Sequence, residues 1–228
     1  EHLMEHEVIP YLRRKYALHG IIKARLLHTA GAGESQIDDL IGDLEQLSNP
    51  TVGLAAHSGQ VDVRITAKAN SEAEADQMIA RIEVDVRQRL GDWIYGADEE
   101  SLQGVAIQTL HDLGWRLVVI EAGLSGELIG RLSAFGPPFL GGETLSSAPS
   151  REELQAQIER YRLERQAEVG LAVAISPGPE KQDIFLTLVT PMGVQQHNRP
   201  YGGPPQNAVG WASNHSLNLI RNLRKDVP

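Results

Sequence analysis

A short turn after a buried apolar run holds the residues best placed for chemistry. The segment Glu121–Gly126 reads Glu-Ala-Gly-Leu-Ser-Gly and follows the run Leu117–Ile120. Hydrolysis of an amide needs an attacking oxygen or sulfur, a proton acceptor, and donors aimed at the developing oxyanion. Backbone N–H groups converge where a strand turns into a helix, and the helix dipole favours negative charge there. Ser125 supplies the hydroxyl of this turn, and Glu121 supplies its carboxylate.

Ser125 and Glu121 each have more than one interpretation. Ser125 could be a displaced nucleophile, or a serine at a helix start that hydrogen-bonds local backbone, and we favour the second. Glu121 could contact a ribose, contact a neighbouring helix, or simply face solvent. The residue types alone do not separate these alternatives for Glu121.

The composition excludes several classes of site. The chain has 228 residues, no cysteine and a formal net charge of −9. Without cysteine it has no thiol nucleophile, no Cys-ligated zinc and no disulfide, which is typical of a reducing cytoplasm. The acidic balance repels phosphate backbones, and the longest apolar runs are too short to span a bilayer. We therefore expect a cytoplasmic protein without a membrane segment.

The first part of the chain predicts a small α+β module over residues 18–97. After a helical lead-in over residues 1–17, Ile21–Thr29 is rich in β-branched residues and leucine, and a helical pattern follows it. A hairpin turns at Ser58-Gly59, and a long amphipathic helix begins after the capping residue Ser71. A short strand closes the order β-α-β-β-α-β, which is typical of a compact α+β unit.

The second part, residues 98–228, alternates helical patterns with apolar strands and predicts a layered α/β domain. Its stretch 136–150 is rich in Gly, Pro and Ser. We interpret this stretch as either a phosphate-cradling loop or a mobile connector, because Gly141 and Gly142 allow close backbone approach. A final helix is predicted over residues 206–225.

The order of elements and several phrases are together similar to the CinA family of competence- and damage-inducible proteins. NPTVGLAAHSGQVDVRITAKA and EAEADQMIARIEVDVRQRLGDWIYG resemble the family's middle, KH-like domain. ESLQGVAIQTLHDLGWRLVVIEAGLSGELIGRLS and PPFLGGETL resemble its C-terminal domain, a nicotinamide-nucleotide amidohydrolase. The resemblance implies a KH-like domain over 18–97 and an α/β/α layered domain over 98–228. It also implies that 1–17 is a lead-in from the family's molybdopterin-binding-like N-terminal domain, which this sequence lacks.

The resemblance further implies a degenerate hydrolytic site. The family motif Glu-Ser-x-Thr-Gly-Gly aligns with Glu121–Gly126, so Ala122 stands where the family has its serine nucleophile. Ser146 takes the place of a tyrosine, and Arg151 lies near the place of a lysine. A guanidinium does not deprotonate in proteins and cannot replace a lysine base. The candidate pocket residues that remain are Glu121, Gly126, Gly141, Gly142, Ser146, Arg151, Ser176 and Gly178.

We therefore expect a non-catalytic relative of nicotinamide mononucleotide deamidase, with a structural or dimerising role or weak binding of a nicotinamide nucleotide. The expected partners are a second copy of the chain and the N-terminal domain of longer family members. We expect no cofactor. A competing hypothesis is an active amidohydrolase with a rearranged serine site that uses Ser125, Ser146 or Ser147. The third and weakest hypothesis is nucleic-acid binding through the KH-like domain.

Two motifs favour ordinary structural explanations. The loop Thr29–Ser35 has no basic residue, and residues 18–97 carry seven Lys and Arg against twelve Asp and Glu, a net charge of −5. A KH domain that binds RNA clamps the backbone with a loop that is usually basic, so we do not expect nucleic acid as a partner. The run His2–His6 has the spacing of an inverted zinc-peptidase motif, but we interpret it as a solvated helix end and expect no metal site.

Overall fold

The structure is a computed structural model that describes residues 2–16, 20–177 and 181–225. The chain divides into two compact units. The first comprises Glu1–His28, Glu34–Ala55 and Asp62–Asp98, and the second comprises Thr29–Gly33, Ala56–Val61 and Glu99–Pro228.

The first unit is built around a four-stranded sheet with the strand order β2-β3-β1-β4. A π-helical turn, Met4–Val8, leads into the first α-helix. The elements are α1 (Ile9–Tyr16), β1 (Ile21–Ala30), α2 (Glu34–Ile41), β2 (Thr51–His57), β3 (Gln60–Ala69), α3 (Glu72–Leu90) and β4 (Ile94–Ala97). The predicted order β-α-β-β-α-β is confirmed, and Ser58-Gly59 joins β2 to β3 as predicted.

Helix α3 shows why the local sequence folds as it does. Ser71 caps its start, because the Ser71 hydroxyl accepts a 3.2 Å hydrogen bond from the Glu74 amide. The Glu74 carboxylate in turn accepts from the amide of Asn70 at 2.9 Å, one residue earlier than an ideal capping box requires. The helix ends at Gly91, whose φ of +51° is in the left-handed region that suits glycine. Its apolar face buries Ala75, Ile79, Val86 and Leu90.

The second unit contains a five-stranded sheet with helices on both faces. Its elements are α4 (Leu102–Leu113), β5 (Leu117–Ala122), α5 (Glu127–Ser133), β6 (Phe139–Leu145), α6 (Arg151–Glu164), β7 (Val169–Pro177), β8 (Gln182–Thr190), β9 (Gly193–Tyr201) and α7 (Ala208–Arg221). The strand order is β6-β5-β7-β8-β9. Strand β5 runs parallel to β6 and β7, whereas β8 and β9 are antiparallel to their neighbours. Helix α6 contacts one face of the sheet, and α5 and α7 contact the other.

The stretch 136–150 differs from the sequence prediction because it contains a strand. Strand β6 pairs along β5, and the register shifts between Phe139 and Gly142. A Cβ atom on Gly142 would lie 2.7 Å from both the Ile129 side chain and the Val119 carbonyl oxygen. Gly141 has a φ of +118° at the register shift. Gly142 therefore allows close packing within the sheet, and Gly141 allows the positive φ at the register shift.

In the described part of the chain, every helix is too short or too polar to cross a bilayer.

Candidate functional site

The carboxyl ends of three parallel strands meet at one edge of the second sheet. Ala122, the last residue of β5, lies opposite Leu145 of β6 and Ala174 of β7. This register places the turn 123–126 beside Ser146, which follows β6, and near the end of β7. Loops at the carboxyl ends of parallel strands are the usual place for ligands in such sheets. The topology therefore brings most of the predicted site residues to one edge.

Ala122 lies in the core rather than at the surface of this edge. Its side chain is fully buried and belongs to the apolar cluster on the α6 face of the sheet, with Leu154, Ile158 and Ala174. Leu145 packs against the same cluster. A methyl group supplies no nucleophile.

Glu121 points to the opposite face of β5 and is also fully buried. Its Oε2 accepts a 3.2 Å hydrogen bond from the Ile129 amide near the start of α5. Its Oε1 is buried without a hydrogen-bond partner among the described residues. Burial raises the pKa of the Glu121 carboxyl, opposed by the nearby backbone N–H groups of Ile129, Gly126 and Leu128. Glu121 thus contacts the neighbouring helix through the Ile129 amide.

Ser125 lies in a tight turn between β5 and α5. The Glu127 amide donates to the Leu124 carbonyl at 3.1 Å, while Ser125 and Gly126 have φ values of +56° and +84°. Two positive φ values inside such a bond define a type I′ turn. Ser125 is exposed, and no hydrogen bond between described residues involves its hydroxyl. The structure therefore shows neither a base at this hydroxyl nor the local backbone bond expected from the sequence.

The remaining candidates are spread along the same edge. Ser146 and Ser147 are exposed in the segment that links β6 to α6. Ser176 is half-buried near the end of β7 and lies opposite Asp183 of β8. Gly178 lies outside the described residues.

Arg151 is the first residue of α6. The helix begins after Ser150, which forms a full capping box with Glu153. The Arg151 guanidinium carbon lies 4.0 Å from the centroid of the Phe185 ring on β8, within the range of a cation–π contact. No described residue forms an ion pair with Arg151.

A cavity of about 170 Å³ lies between α6 and strands β8 and β9. We call it the Arg151 cavity, after the arginine that lines it. Its described lining residues are Arg151, Leu154, Phe185, Leu186, Thr187, Gln196, His197 and Asn198. Sequence reasoning missed Thr187 of β8 as a site residue, and it also missed Gln196 and Asn198 because it did not predict β9. That strand is polar and lies at the edge of the sheet, so its hydrophobic pattern is weak.

The run His2–His6, which has the spacing of an inverted zinc-peptidase motif, lies in the helical segment at the start of the chain. The rings of His2 and His6 lie 4.3 Å apart between centroids. Within residues 2–16, 20–177 and 181–225, no group of three or more His, Asp or Glu side chains is arranged to hold a metal ion.

Comparison with known proteins agrees with the family resemblance of the sequence. The model of the "Damage-inducible protein CinA KH domain" family matches residues 24–96. A competence-damage inducible protein of Clostridium botulinum (strain Loch Maree / Type A3) is 37% identical over 177 residues, 76% of this chain and 42% of that protein. This chain belongs to the CinA family.

Other relatives of this CinA-family chain extend the match. A CinA-like protein of Synechococcus sp. (strain RCC307) is 30% identical over 210 residues, 88% of this chain and 50% of that protein. The chain therefore spans about half the length, or less, of these two curated relatives.

Solved structures with the CinA description resemble part of the fold. The competence or damage-inducible protein from Enterobacter asburiae aligns with 55% of this chain and 99% of its own, at 17% identity and a TM-score of 0.47. A CinA superfamily protein from Enterobacter cloacae covers 57% of this chain and 96% of its own, at 17% identity and a TM-score of 0.48. A likeness of this size carries no argument about function.

Proposed function

We propose that this CinA-family chain is a non-catalytic relative of the nicotinamide-nucleotide amidohydrolases, with a structural role or weak binding of a nicotinamide nucleotide. The observation that carries the proposal is the fully buried methyl group of Ala122 at the carboxyl end of β5. Amide hydrolysis by this route needs an oxygen nucleophile at that corner. Where measured in one serine protease, loss of the serine reduces turnover on the order of a million-fold.

Two further features support the loss of hydrolysis. Ser146 stands where the family has the tyrosine that assists the nucleophile, and it is exposed after β6. Arg151, near the family's lysine position, keeps its proton and cannot act as a base. Both residues that assist the nucleophile in the family are thus replaced, which supports the proposed loss of hydrolysis.

The test is ammonia release from nicotinamide mononucleotide by the purified chain, with an active amidohydrolase as a positive control for the assay. We expect the rate to equal the background without enzyme. The variants Ser125→Ala, Ser146→Ala and Ser147→Ala should leave that rate unchanged. Ammonia release above background that one of these variants abolishes would overturn the proposal in favour of a rearranged serine site.

The variant Ala122→Ser tests whether the missing hydroxyl alone accounts for the expected loss of hydrolytic activity. We expect it to stay inactive, because Ser146 and Arg151 still stand at the places of the family's tyrosine and lysine. It should also lose about 1–3 kcal/mol in free energy of unfolding, since it places a hydroxyl in an apolar cluster. Activity restored by this one substitution would show that the rest of the machinery is intact.

Self-association is the structural part of the proposal. Strand β9 has a neighbour on one side only, so its outer backbone groups face no other strand of the described sheet. Such edges often pair with another chain. Sedimentation velocity over a tenfold range of concentration should show a dimer, and a monomer throughout the range would remove dimerisation from the proposal.

A further inference from the structure

We propose that the Arg151 cavity binds a small organic carboxylate joined to a flat, apolar body. Binding at equilibrium needs no turnover, so this proposal does not depend on whether the chain hydrolyses amides. Its site is defined by one helix and two strands, all in the second unit.

The charge of the cavity favours an anion. Arg151 is the one permanently charged residue among the eight described lining residues, and none of the eight is acidic. This is unusual surface for a chain with 30 acidic residues and a net charge of −9. The guanidinium lies over the Phe185 ring and has no carboxylate partner among the described residues. A stacked guanidinium leaves its in-plane N–H donors free to bind a carboxylate in a bidentate geometry.

Thr187 is a buried residue that lines the cavity. It is 3% exposed, and it lines the cavity opposite Gln196 of β9. None of the hydrogen bonds between described residues involves its hydroxyl, and it is not among the buried polar atoms that lack a partner. A hydroxyl inside a protein loses free energy unless it is hydrogen-bonded. Its remaining contact is therefore the cavity itself, where a ligand oxygen would complete its hydrogen bonding.

The size and the apolar walls define the rest of the ligand. A volume of 170 Å³ corresponds to five or six water molecules at about 30 Å³ each. Leu154 is 1% exposed and, with Phe185, gives the cavity an apolar wall. A carboxylate on a single flat ring, with about nine non-hydrogen atoms, matches both the volume and this wall.

The cavity also lies beside residues that are paired across the sheet with Ala122. Ala122 pairs with Ala174, Ala174 with Phe185, and Phe185 with Asn198. Two strand spacings of about 4.8 Å therefore separate the Ala122 and Phe185 positions. The sheet face that carries the lost nucleophile also carries the proposed anion site.

The experiment compares benzoate with benzamide, which have nearly the same shape and differ in charge. Titration of the whole chain, followed by NMR or calorimetry, should show saturable binding of benzoate and at least tenfold weaker binding of benzamide. Equal affinities would overturn the proposal, because the cavity would then recognise the ring and not the anion. Absence of saturable benzoate binding would overturn it as well.

Substitutions assign the binding to this cavity. Arg151→Gln should weaken benzoate about tenfold, the fold-change expected from one lost charge-assisted contact. Arg160→Gln is the matched control on the same helix, because Arg160 is 72% exposed and lies 3.6 Å from Glu164. Unchanged affinity in Arg151→Gln would contradict the assignment. If that variant does not fold, Arg151→Lys keeps the charge and should weaken benzoate by a smaller factor.

Two further variants sharpen the result. Thr187→Val removes the buried hydroxyl at nearly constant shape and should weaken benzoate several-fold. Asp183→Asn should strengthen it, because Asp183 lies two residues before Phe185 and therefore on the same face of β8. Weaker binding in Asp183→Asn, or phosphate that competes as strongly as benzoate, would contradict a carboxylate site.

Discussion

His28 in the first unit and Glu121 in the second are ionisable groups inside the fold, and the pKa of each is raised. The same direction of pKa shift has opposite consequences for the charge of the two side chains. For His28 a higher pKa keeps the side chain charged, whereas for Glu121 it favours the neutral acid. The difference lies in whether hydrogen-bond partners outweigh burial.

His28 has partners on both ring nitrogens. Its Nδ1 lies 2.7 Å from the Asp62 carboxylate and its Nε2 lies 2.8 Å from the Asp98 carbonyl oxygen. Both partners are acceptors, so both nitrogens must donate, and only the imidazolium can do so. Burial lowers the pKa of His28, but the hydrogen bonds and charges of Asp62 and Asp98 outweigh it. Tyr95 stacks on the ring, and Arg25 forms an ion pair with Asp98.

Glu121 has fewer partners than its two oxygens need. One oxygen accepts from Ile129 and the other is buried without a partner among the described residues. Burial is therefore the larger influence and raises the pKa of this carboxyl. A buried side chain keeps its charge where hydrogen-bond partners surround its charged form, as at His28. Where such partners are too few, as at Glu121, the neutral form is favoured.

The largest expected effect comes from removing the Glu121 side chain. Glu121→Ala should lower the free energy of unfolding of the second unit by about 3 kcal/mol, because it leaves a cavity and an unpaired Ile129 amide. Glu121→Gln keeps the shape and the acceptor and should lose much less. Urea unfolding in a Trp93→Phe background reports this unit through the fluorescence of Trp115 and Trp211. Equal losses in the two variants would show that the shape of the side chain is unimportant.

The pH dependence of Glu121 gives a second test. Because its pKa in the fold is raised above 4.5, its stabilising contribution is fully present below pH 4.5. The contribution is lost as the pH rises through the raised pKa. The stability of wild type relative to Glu121→Gln should therefore fall as the pH increases above 4.5. A rise over the same interval would mean that the carboxylate is well solvated by donors.

The His28 network should contribute less than the Glu121 side chain. Since the pKa of His28 is raised above 6.5, its contribution is fully present below pH 6.5 and is lost as the pH rises through the raised pKa. At pH 6, His28→Gln should cost the first unit about 1 kcal/mol, and the difference should shrink in alkaline buffer. Trp93 fluorescence provides the measurement. Asp62→Asn should reduce the pH dependence, and a cost that grows with pH would contradict the acceptor-only environment.

The smallest expected effect is at Ser125. Its φ of +56° is unfavourable for a β-branched residue, so Ser125→Val should destabilise the second unit by about 1 kcal/mol. Ser125→Gly should change stability by less than about 0.5 kcal/mol, because relief of the strained φ is offset by a more flexible unfolded chain. Chemical denaturation of both variants measures the difference. Equal stabilities of the two variants would contradict the effect expected from the positive φ of the type I′ turn.

The first unit followed its local sequence closely. The hairpin turn at Ser58-Gly59 and the cap at Ser71 are short-range signals, and each is confirmed. The second unit was less predictable. The glycines of β6 resembled loop residues, because the close approach to Ile129 and Val119 that requires Gly142 depends on distant parts of the chain. Strand β9 was missed because a polar edge strand carries little hydrophobic pattern.

The sequence by itself determined the order of most elements, the family resemblance, and the absence of a hydroxyl at position 122. Tertiary structure alone decided that Ala122 is packed in an apolar cluster, that Glu121 binds the start of α5, and that Arg151 stacks on Phe185 beside a buried Thr187. The physical reason is range. Caps and periodicity act over a few residues, whereas the burial and partners of a side chain are set by strands and helices brought together from across the chain.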